Sequence, residues 1–369
     1  MASRGKIKII CVCGARPNFM KIAPIMRAFE KRPAIEALLV HTGQHFDRNM
    51  SELFFTELGI PEPDVNLEVG SGSHAVQTAE IMKRFEPVVL GYKPDFVLVV
   101  GDVNSTIACG LVAVKLGVKL VHVEAGLRSF DRSMPEEINR ILTDSISDLL
   151  FVTEPSGIDN LLREGIAPDK MHLVGNVMID TLQANKAKAE KSAILQKLEL
   201  TEKKYAVATL HRPGNVDDEG NLRAVLEAFA EIQRDIPVVF PMHPRTRKNI
   251  ATKGLGDIID GCRDFRVVEP LGYLDFLKLI SNAAVVLTDS GGLQEETTVL
   301  GVPCMTLREN TERPITCSKG TNRLVPIVKG EIMRVFADIR DNGFETSGCA
   351  PEYWDGHAAE RITEILADQ

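Results

Sequence analysis

The fold of this chain is decided by residues 287–314, which read LTDSGGLQEETTVLGVPCMTLRENTERP. A short apolar run, Ala283–Leu287, leads into Thr288-Asp289-Ser290-Gly291-Gly292, and a helical pattern begins at once with Gln294. A strand that ends in a Ser-Gly-Gly turn and opens a helix points backbone N–H groups outward at the positive end of that helix. The stretch therefore predicts a parallel α/β unit with a phosphate or diphosphate site at Ser290, Gly291 and Gly292.

Two glutamates follow this anion site one turn further on. Glu295 and Glu296 would repel a phosphate, but a carboxylate that accepts hydrogen bonds from sugar hydroxyls is typical of ribose sites. Glu296 and the Ser-Gly-Gly turn together predict a nucleotide that carries both a diphosphate and a ribose. The alternative is that acidic residues in a first helical turn only complement the helix dipole, and both interpretations stay open at this point.

The composition limits the class of protein. At 369 residues the chain is too long for one typical core, so two domains are expected. A net charge of −8 without a dense Lys/Arg run argues against a nucleic-acid surface. No apolar run approaches the ~20 residues that span a bilayer, and the N-terminus passes into a strand without the apolar core of a signal peptide. The protein is therefore predicted to be cytoplasmic, without membrane contact.

Strand-like runs alternate with amphipathic helical patterns almost throughout, which is the signature of parallel α/β sheets. The first predicted strands are Ile7–Cys13, Ala37–Thr42, Phe96–Val100, Lys119–Val123, Leu149–Val152 and His172–Val174. The second set is Tyr205–Leu210, Val238–Pro241, Phe265–Val268, Ala284–Leu287 and Val302–Leu307. A charged helical linker over Gln183–Lys204 joins the sets, and a helix over Gly356–Asp368 is expected to cross back onto the first domain. The predicted domains are 1–175 with 355–369, and 176–354.

A weak internal repeat in the sequence indicates that the two domains are related. Asp95–Val123 runs from a strand through Gly101-Asp102-Val103-Asn104-Ser105-Thr106 and a helix to Leu116-Gly117-Val118 and a second strand. Ala284–Leu307 repeats that order, with Leu300-Gly301-Val302 before its second strand. Two Rossmann-like α/β domains are therefore predicted. Ligands of such sheets bind at the carboxyl ends of the strands, so the site is expected in a central cleft that both domains face.

The predicted strands are followed by a selective set of polar residues. In chain order these are Arg16, Lys21, Asp102, Glu124, Glu136, Arg140, His211 and His243. Some have structural alternatives: Asp102 could cap a helix, Glu136 could complement a helix dipole, and His211 could be a hydrogen-bonded core histidine. Those alternatives do not explain why three carboxylates, two histidines and Arg16 all occur at one edge.

Several catalytic motifs are missing from the sequence. The first strand is not followed by GxGxxG, and there is no GxxxxGK[ST], so neither dinucleotide redox chemistry nor P-loop ATP hydrolysis has support. There is no HExxH, and Cys11-Val12-Cys13 lies in an apolar strand, where two buried small hydrophobes are expected instead of a metal or redox pair. There is also no GxSxG elbow. Neither a metal nor a cofactor is expected.

Eight segments complete the sequence argument. They are GARPNFMK (14–21), GQHFD (43–47), GDVNST (101–106), HVEAGLRS (122–129), MPEEINR (134–140), LHRPGN (210–215), LTDSGGLQEE (287–296) and RENTERP (308–314). This ordered set closely resembles the non-hydrolysing UDP-N-acetylglucosamine 2-epimerases, from about Lys6 to about Val328. The resemblance implies the GT-B architecture of two Rossmann-like domains, and interconversion of UDP-GlcNAc and UDP-ManNAc without a metal or redox cofactor.

The resemblance also implies the chemistry. C2 of the sugar is not next to a carbonyl, so its proton is not acidic enough for simple abstraction. The family expels UDP from C1 with loss of the C2 proton, which gives an enzyme-bound 2-acetamidoglucal. Protonation of C2 from the other face and return of UDP complete the inversion. Such a reaction needs acid–base groups near both faces of the ring and a firm hold on the departing diphosphate.

Residue roles carry over by resemblance. Asp102, Glu124 and Glu136 match the catalytic carboxylates, and His211 matches the active-site histidine. Asp102 and Glu136 are expected to handle the two protons, although the sequence does not decide which face each serves. The residues expected at the UDP site are Arg16, Lys21, Arg140, His243, Phe276, Ser290, Gly291, Gly292, Glu296 and Arg313. A UDP-sugar is the expected partner, and a homodimer is the expected assembly.

One segment departs from the family pattern. Many bacterial members read HRREN where this chain has His211-Arg212-Pro213-Gly214-Asn215. The missing arginine and glutamate lie where some relatives bind a second UDP-GlcNAc as an activator. Substrate activation is therefore expected to be weakened or lost, although Gln44 and His45 are retained.

Three alternative functions stay open. A member of the same family could act on a modified sugar such as UDP-2,3-diacetamido-glucuronic acid. A hydrolysing variant would release free ManNAc and UDP, and no residue in the sequence decides against it. A GT-B glycosyltransferase would use the same UDP site, but it has no evident need for three carboxylates at strand ends.

Overall fold

The computed structural model describes residues 6–43, 58–59, 61–344 and 350–369, except the side chains of Arg16 and Pro17. The chain forms two compact units. The first unit is Met1–Ala184 with Glu352–Gln369, and the second is Asn185–Pro351. The chain first passes from one unit to the other inside the helix Val177–Ala189, later than the predicted residue 176.

The first unit is built on a seven-stranded sheet. Its strands are β1 (Ile7–Cys13), β2 (Ile35–His41), β3 (Val65–Asn66), β4 (Phe96–Val100), β5 (Lys119–Ala125), β6 (Leu149–Val152) and β7 (Met171–Leu173). Its helices are α1 (Arg16–Glu30), α2 (His74–Tyr92), α3 (Asn104–Lys115), α4 (Pro135–Ile146), α5 (Pro155–Arg163) and α6 (Val177–Ala189), which enters the second unit. A short 3-10 helix covers Pro168–Lys170. Every strand pair is parallel, and the order is β3-β2-β1-β4-β5-β6-β7.

The second unit is built on a six-stranded parallel sheet. Its strands are β8 (Ala206–Thr209), β9 (Val238–Pro241), β10 (Phe265–Val268), β11 (Val285–Thr288), β12 (Cys304–Leu307) and β13 (Asn322–Val325). Its helices are α7 (Ile194–Lys197), α8 (Pro213–Val216), α9 (Glu219–Ile232), α10 (Pro244–Thr252), α11 (Asp257–Asp260), α12 (Tyr273–Ser281), α13 (Gly291–Leu300), α14 (Ile315–Ser318) and α15 (Lys329–Asn342). The strand order is β10-β9-β8-β11-β12-β13. Within the described ranges, no helix of either unit is long and apolar enough to cross a membrane.

Each sheet is buried by helices on both faces, as its apolar strands require. In the first unit, Ile10, Val97 and Val99 of the central strands pack with Phe85 of α2 in one core. In the second unit, Phe229 of α9 packs edge-on against Phe240 of β9, with their ring centroids 6.0 Å apart. Burial of strands on both faces explains why they read as continuous apolar runs instead of alternating ones.

The direction of strand order reverses once in each sheet. In the first unit the reversal lies between β1 and β4, and in the second it lies between β8 and β11. Loops that leave the carboxyl ends of the strands at such a reversal form a crevice, where open α/β sheets bind ligands. The segments β4–α3–β5 and β11–α13–β12 occupy equivalent positions in the strand orders of the two sheets. The internal repeat of the sequence is therefore present in the structure. The predicted fold class, two Rossmann-like α/β domains with parallel sheets, is confirmed.

The C-terminal segment packs on the first unit. Trp354 is buried, and its Nε1 donates to the carbonyl oxygen of Thr153 at 2.9 Å. The helix α16 (Ala358–Ala367) begins where the Asp180 carboxylate accepts the backbone N–H groups of Ala358 and Ala359 at 3.1 and 2.7 Å. These N–H groups have no partner inside the helix, so Asp180 of α6 satisfies them from outside.

The prediction of one helical linker over Gln183–Lys204 is wrong. The helix α6 begins earlier, at Val177, and ends at Ala189, and the helix α7 covers only Ile194–Lys197. Glu199 and Lys203 have φ angles of 48° and 59°. A left-handed backbone cannot continue a right-handed helix. The sequence prediction also missed β3 and β13, because two-residue Val65–Asn66 and half-polar Asn322–Val325 have no apolar run to mark them.

Candidate functional site

The first unit brings three loops close together at its strand ends. A Cβ atom on Gly14, the residue after β1, would collide with the hydroxyls of Ser105 and Thr42, so only glycine fits there. Those two hydroxyls lie 2.7 Å apart, which joins the loop after β2 to α3. Asn18 of α1 donates from Nδ2 to the carbonyl oxygen of Val100 at 2.9 Å. The loops after β1, β2 and β4 are therefore fixed to one another.

Asp102 lies just after β4 and is held by α4. Arg140 Nη1 lies 2.5 Å from Asp102 Oδ2, and the Nδ2 atom of Asn139 donates to the backbone carbonyl of Asp102 at 2.9 Å. The Arg140 side chain is 3% exposed, whereas that of Asp102 is 25% exposed. A buried guanidinium thus orients a carboxylate that still reaches solvent.

Glu124 occupies a strained position at the end of β5. Its φ angle is 75°, and the pairing of β5 with β6 shifts register between Val123 and Ala125. Left-handed backbone at a residue other than glycine costs on the order of 1–3 kcal/mol and occurs often at functional sites. The bulge turns the Glu124 side chain toward Lys21 of α1, and the two form a buried ion pair.

The consecutive residues Glu136 and Glu137 of α4 have opposite environments. Glu137 is buried and accepts hydrogen bonds from the backbone N–H groups of Ser129 and Phe130 at 2.9 and 3.0 Å, and from Arg140 Nη2 at 2.7 Å. Burial acts to raise the pKa of Glu137, but these N–H donors and the Arg140 charge outweigh burial and lower that pKa. Glu137 therefore holds the loop before α4 and the side chain that holds Asp102.

Glu136 is exposed and faces a polar pocket. The pocket has a volume of about 260 Å³. Its lining residues are Ser71, Gly72, His74, Gln77, Asp102, Val103, Asn104, Pro135, Glu136 and Asn139. The structure thus brings Asp102 and Glu136 to one pocket, surrounded by amide side chains that can bind hydroxyl or acetamido groups.

The residues of the predicted anion site lie at the start of α13 in the second unit. Ser290 is the residue before the helix, and Gly291 and Gly292 are its first two residues. A Cβ atom on Gly291 would lie 2.7 Å from Arg313 Nη1, so glycine permits the close approach of that guanidinium. Arg313 donates from Nε to Glu295 at 2.6 Å and from Nη1 to Glu312 at 2.7 Å. The N-terminus of α13 and the Arg313 guanidinium lie side by side, and this arrangement suits an anion.

Glu296 is buried on the same helix. The Tyr273 hydroxyl, at the start of α12, donates to Glu296 Oε1 at 3.2 Å. Burial and the Glu296 charge raise the pKa of Tyr273 well above its usual value, so the hydroxyl stays a donor. The first turn of α13 contains no acidic residue, so the alternative that Glu295 and Glu296 complement a helix dipole is wrong. Phe276, also on α12, is half-buried.

His211 follows β8 and is oriented by Asp289, which follows β11. His211 Nδ1 lies 2.9 Å from Asp289 Oδ1. Asp289 also accepts the backbone N–H groups of His211 and Arg212 at 3.0 and 2.8 Å and Asn215 Nδ2 at 3.1 Å. Burial acts to raise the pKa of Asp289, but His211 and the N–H donors lower it below its ordinary value. The His211 side chain is 45% exposed, so the alternative of a core histidine is wrong.

Comparisons with known proteins fit this geometry. The family model described as UDP-N-acetylglucosamine 2-epimerase matches residues 27–367. A Methanocaldococcus jannaschii UDP-N-acetylglucosamine 2-epimerase is 43% identical over 365 residues, which cover 98% of this chain and 99% of the relative. The chain belongs to the UDP-N-acetylglucosamine 2-epimerase family.

The solved structure of that M. jannaschii enzyme and one further relative of this epimerase family differ in the sugar that they name. The crystal structure of the M. jannaschii UDP-GlcNAc 2-epimerase in complex with UDP-GlcNAc and UDP has a TM-score of 0.90 and 42% identity, and covers 98% of this chain and 100% of that one. A Pseudomonas aeruginosa UDP-2,3-diacetamido-2,3-dideoxy-D-glucuronate 2-epimerase is 42% identical, covering 98% of this chain and 99% of the relative. Overall sequence identity therefore does not indicate which of the two sugars this chain uses.

The structure places the other predicted residues of this epimerase-family chain as follows. Lys21 and Arg140 each pair with a carboxylate of the first unit, and their contact with a diphosphate stays a prediction. His243 is the residue before α10, and its Nδ1 accepts the Arg245 backbone N–H at 3.2 Å. The helix α1 begins at Arg16, whose side chain lies outside the described atoms. Gln44 and His45 lie outside the described residues.

The sequence argument missed the residues that hold the predicted ones. These are Glu137, Tyr273, Asp289, Glu295 and Glu312. The spacing of Glu137, Arg140 and Asp144 places them on one face of the helix α4, but the sequence does not show that this polar face is buried. Asp289 follows a strand as Asp102 does, but nothing in its spacing shows that it is buried.

Proposed function

We propose that this chain interconverts UDP-GlcNAc and UDP-ManNAc by elimination and readdition of UDP, without net hydrolysis. The observation that carries the proposal is the pocket that Asp102 and Glu136 share, with Glu124 paired to Lys21 at the neighbouring strand end. A reaction that removes a proton from one ring face and returns one to the other needs two acid–base groups. The lining amides of Gln77, Asn104 and Asn139 suit an acetamido sugar.

In the proposed forward step, the C2–H bond and the C1–O bond both break. A carboxylate of the pocket takes the C2 proton, the electron pair of the C2–H bond forms the C1–C2 double bond, and UDP leaves with the C1–O electron pair. In the return step a second acid donates a proton to the opposite face of C2, and a UDP oxygen bonds to C1. Asp102 and Glu136 are the proposed proton handlers, and Glu124 is proposed to stabilise positive charge on the ring.

The second unit is proposed to bind the nucleotide. The N–H groups at Ser290, Gly291 and Gly292 and the Arg313 guanidinium would hold the diphosphate, since both are donors suited to phosphate oxygens. Glu296 would accept from ribose hydroxyls, and α12, with Phe276, would contact the uracil. His211 and His243, whose rings lie 6.4 Å apart, would contact the substrate near the diphosphate.

The test is incubation of the full chain with UDP-GlcNAc in D₂O, followed by NMR. The proposal expects UDP-ManNAc and deuterium at C2 in both epimers. Free ManNAc with UDP would support a hydrolysing variant instead, and epimerisation that retains the original hydrogen would contradict elimination. A parallel incubation with UDP-2,3-diacetamido-glucuronic acid decides the substrate, because reaction of that sugar alone would favour the function of the Pseudomonas relative. Transfer of the sugar to an acceptor would indicate a glycosyltransferase.

Three further properties are proposed for the same enzyme. It is a homodimer in the cytoplasm and requires neither a metal ion nor a cofactor. Light scattering coupled to size-exclusion chromatography gives the assembly, and dialysis against a chelator should leave the rate unchanged. Loss of activity that Mg²⁺ or Zn²⁺ restores would contradict the absence of a metal requirement.

A further inference from the structure

A buried histidine joins the three elements that carry the pocket carboxylates. His122 lies in β5, two positions before Glu124, and its side chain is 0% exposed. Its Nδ1 atom lies 2.6 Å from Asp144 Oδ1 on α4, the helix of Glu136. Its Nε2 atom lies 2.8 Å from the carbonyl oxygen of Gly101, the residue before Asp102.

The Asp144 carboxylate has further donors on its other oxygen. Oδ2 accepts the backbone N–H of Gly126 at 3.1 Å and lies 2.7 Å from Arg128 Nη2. Arg128 also donates to Glu164 at 2.8 and 2.6 Å, so this buried charge is itself paired. Burial acts to raise the pKa of Asp144, but His122 and Arg128 outweigh burial and lower it. The surroundings of Asp144 therefore favour its ionised form.

These partners give both ring nitrogens of His122 a fixed hydrogen bond. A carbonyl oxygen only accepts, so the Nε2 atom that faces Gly101 carries a hydrogen and donates it. Nδ1 and Asp144 Oδ1 share a hydrogen across 2.6 Å. The ring therefore bridges the loop after β4 and the helix α4, and it cannot turn without breaking one of the two bonds.

The ring is connected to the segments that carry all three carboxylates. It contacts Asp144 on α4, the helix of Glu136, and it reaches the other two segments through the backbone. It fixes the carbonyl of Gly101, whose φ is 66° and which precedes Asp102. Through Asp144 it fixes Gly126, two residues after Glu124, whose φ is 79°. Lys21 Nζ and Glu124 Oε2 flank Gly101 as well, so a shift of the Gly101 peptide would disturb the Lys21–Glu124 pair.

We infer that His122 is a positioning residue that aligns the segments bearing Asp102, Glu124 and Glu136 for proton transfer at the sugar ring. Its role in catalysis rests on the proposed epimerase function, whereas its two hydrogen bonds do not. Six groups lie around it: Asp144 and Gly101 at its nitrogens, Arg128 and Glu164 behind Asp144, and Lys21 and Glu124 beside Gly101.

The two hydrogen bonds of His122 are tested on the unaltered protein by NMR with ¹⁵N-labelled histidine. We expect the proton on Nε2 and the proton between Nδ1 and Asp144 to exchange slowly with solvent, because both are buried and hydrogen-bonded. The absence of both signals from His122→Gln assigns them. Rapid exchange of either proton would overturn the inference, even if the epimerase function is correct.

The positioning role is tested with His122→Gln, whose single amide nitrogen cannot reach both partners of the ring. The kcat for epimerisation should fall about 10²-fold, the effect of misplacing groups near a reaction by about 1 Å. The Kd for UDP should change much less than kcat, because Ser290, Gly291 and Glu296 of the predicted UDP site lie in the second unit, although Lys21 lies beside Gly101. The matched control is His172→Gln, a half-buried histidine on β7 of the same unit, which should keep its kcat.

A second variant separates positioning from stability. Asp144→Asn should reduce kcat to a similar extent, and the double variant should cost little more than either single one, because the two residues act as a unit. A lower Tm with an unchanged kcat in both single variants would show that the network is structural only, and would overturn the positioning role. If no UDP-sugar is turned over by the unaltered protein, the proposed function fails while the NMR result still decides whether His122 makes both hydrogen bonds.

Discussion

Asp102 and Asp289 occupy the same topological position in the two units and have opposite surroundings. Each follows the strand just beyond the reversal of strand order, β4 in the first unit and β11 in the second. Asp102 is 25% exposed and lines a pocket, with Arg140 on one oxygen. Asp289 is 0% exposed and receives N–H donors from His211, Arg212 and Asn215.

The difference between Asp102 and Asp289 shows that a carboxylate at the same strand-end position can serve either catalysis or structure. Topology brings an acid to the edge of the sheet in both cases, since the carboxyl ends of parallel strands meet there. A carboxylate whose lone pairs are filled by fixed donors holds a loop and has no capacity left for a substrate. A carboxylate that lines a pocket and reaches solvent, as Asp102 does, can exchange a proton. Each prediction below tests one side of that comparison.

The largest effect is expected for Asp102→Asn. Its kcat should fall by roughly 10²–10⁴, the usual contribution of a positioned acid or base. The Kd for UDP and the Tm should change far less than kcat, because Asp102 lines the pocket and Arg140, a predicted UDP-site residue, keeps its pairing with Glu137. Asp159→Asn, an exposed aspartate on α5 of the same unit, is the control. Equal losses in UDP binding and rate would indicate that Asp102 is structural after all.

The converse variant, Asp289→Asn, should act first on stability. An asparagine amide group would face N–H donors, and a buried polar group left unsatisfied with a lost charge pair costs about 3 kcal/mol or more. Denaturant unfolding should show this loss, with Asp257→Asn, exposed on α11, as control. Unchanged stability with a large loss of kcat would indicate that Asp289 takes part in catalysis. That result would contradict the contrast between Asp289 and Asp102.

The same carboxylate should make stability depend on pH. The pKa of Asp289 is lower in the folded state than the unfolded value of about 3.9, so its contribution is fully present above pH ~4. That contribution is lost as the pH falls from there through the folded-state pKa, with a slope of at most ~1.4 kcal/mol per pH unit. Unfolding measured from about pH 6 to 3 should show a shallower loss in Asp289→Asn than in the unaltered chain. Parallel curves of unfolding free energy against pH for the two proteins would contradict the attribution of this pH dependence to Asp289.

The smallest effect is expected on the nucleotide side. Tyr273→Phe removes one hydrogen bond to Glu296, so the Kd for UDP should rise about fivefold, equivalent to ~1 kcal/mol. Tyr205→Phe is the matched control, because its buried hydroxyl donates at 2.6 Å to the carbonyl of Leu279, not to Glu296. That variant should lose stability and keep its affinity for UDP. Isothermal titration with UDP separates the two.

Sequence patterns predicted the strands that the core requires. Eleven runs found by their apolar character correspond to eleven of the strands, because a parallel sheet buried on both faces demands continuous apolar residues. The passage from a strand into a helix near Ser290-Gly291-Gly292 was predicted from the sequence, but the helix begins at Gly291, earlier than the predicted Gln294. The linker was not predicted correctly, since Glu199 and Lys203 take left-handed backbone that neither composition nor periodicity reveals.

Burial of charge is what the sequence could not predict. Glu136 and Glu137 are adjacent and chemically equivalent, yet one faces solvent and the other holds Ser129, Phe130 and Arg140. Which of them points inward depends on the direction in which α4 leaves the sheet, and that is a tertiary property. For the same reason, Asp289 cannot be distinguished from Asp102 until its donors are placed around it.

The discontinuous first unit has a consequence for synthesis. Trp354 and α16 belong to that unit, but the whole of Asn185–Pro351 is translated before them. At roughly 5–20 residues per second, the first unit waits on the order of ten seconds or more on the ribosome without its last helix. During that interval the N-terminal side of α6 lacks the Ala358 and Ala359 N–H groups that Asp180 accepts, and the surface of α1 that packs against α16 is bare. Until the final residues emerge, the first unit of the nascent chain therefore keeps a surface that is open to aggregation and to chaperone binding.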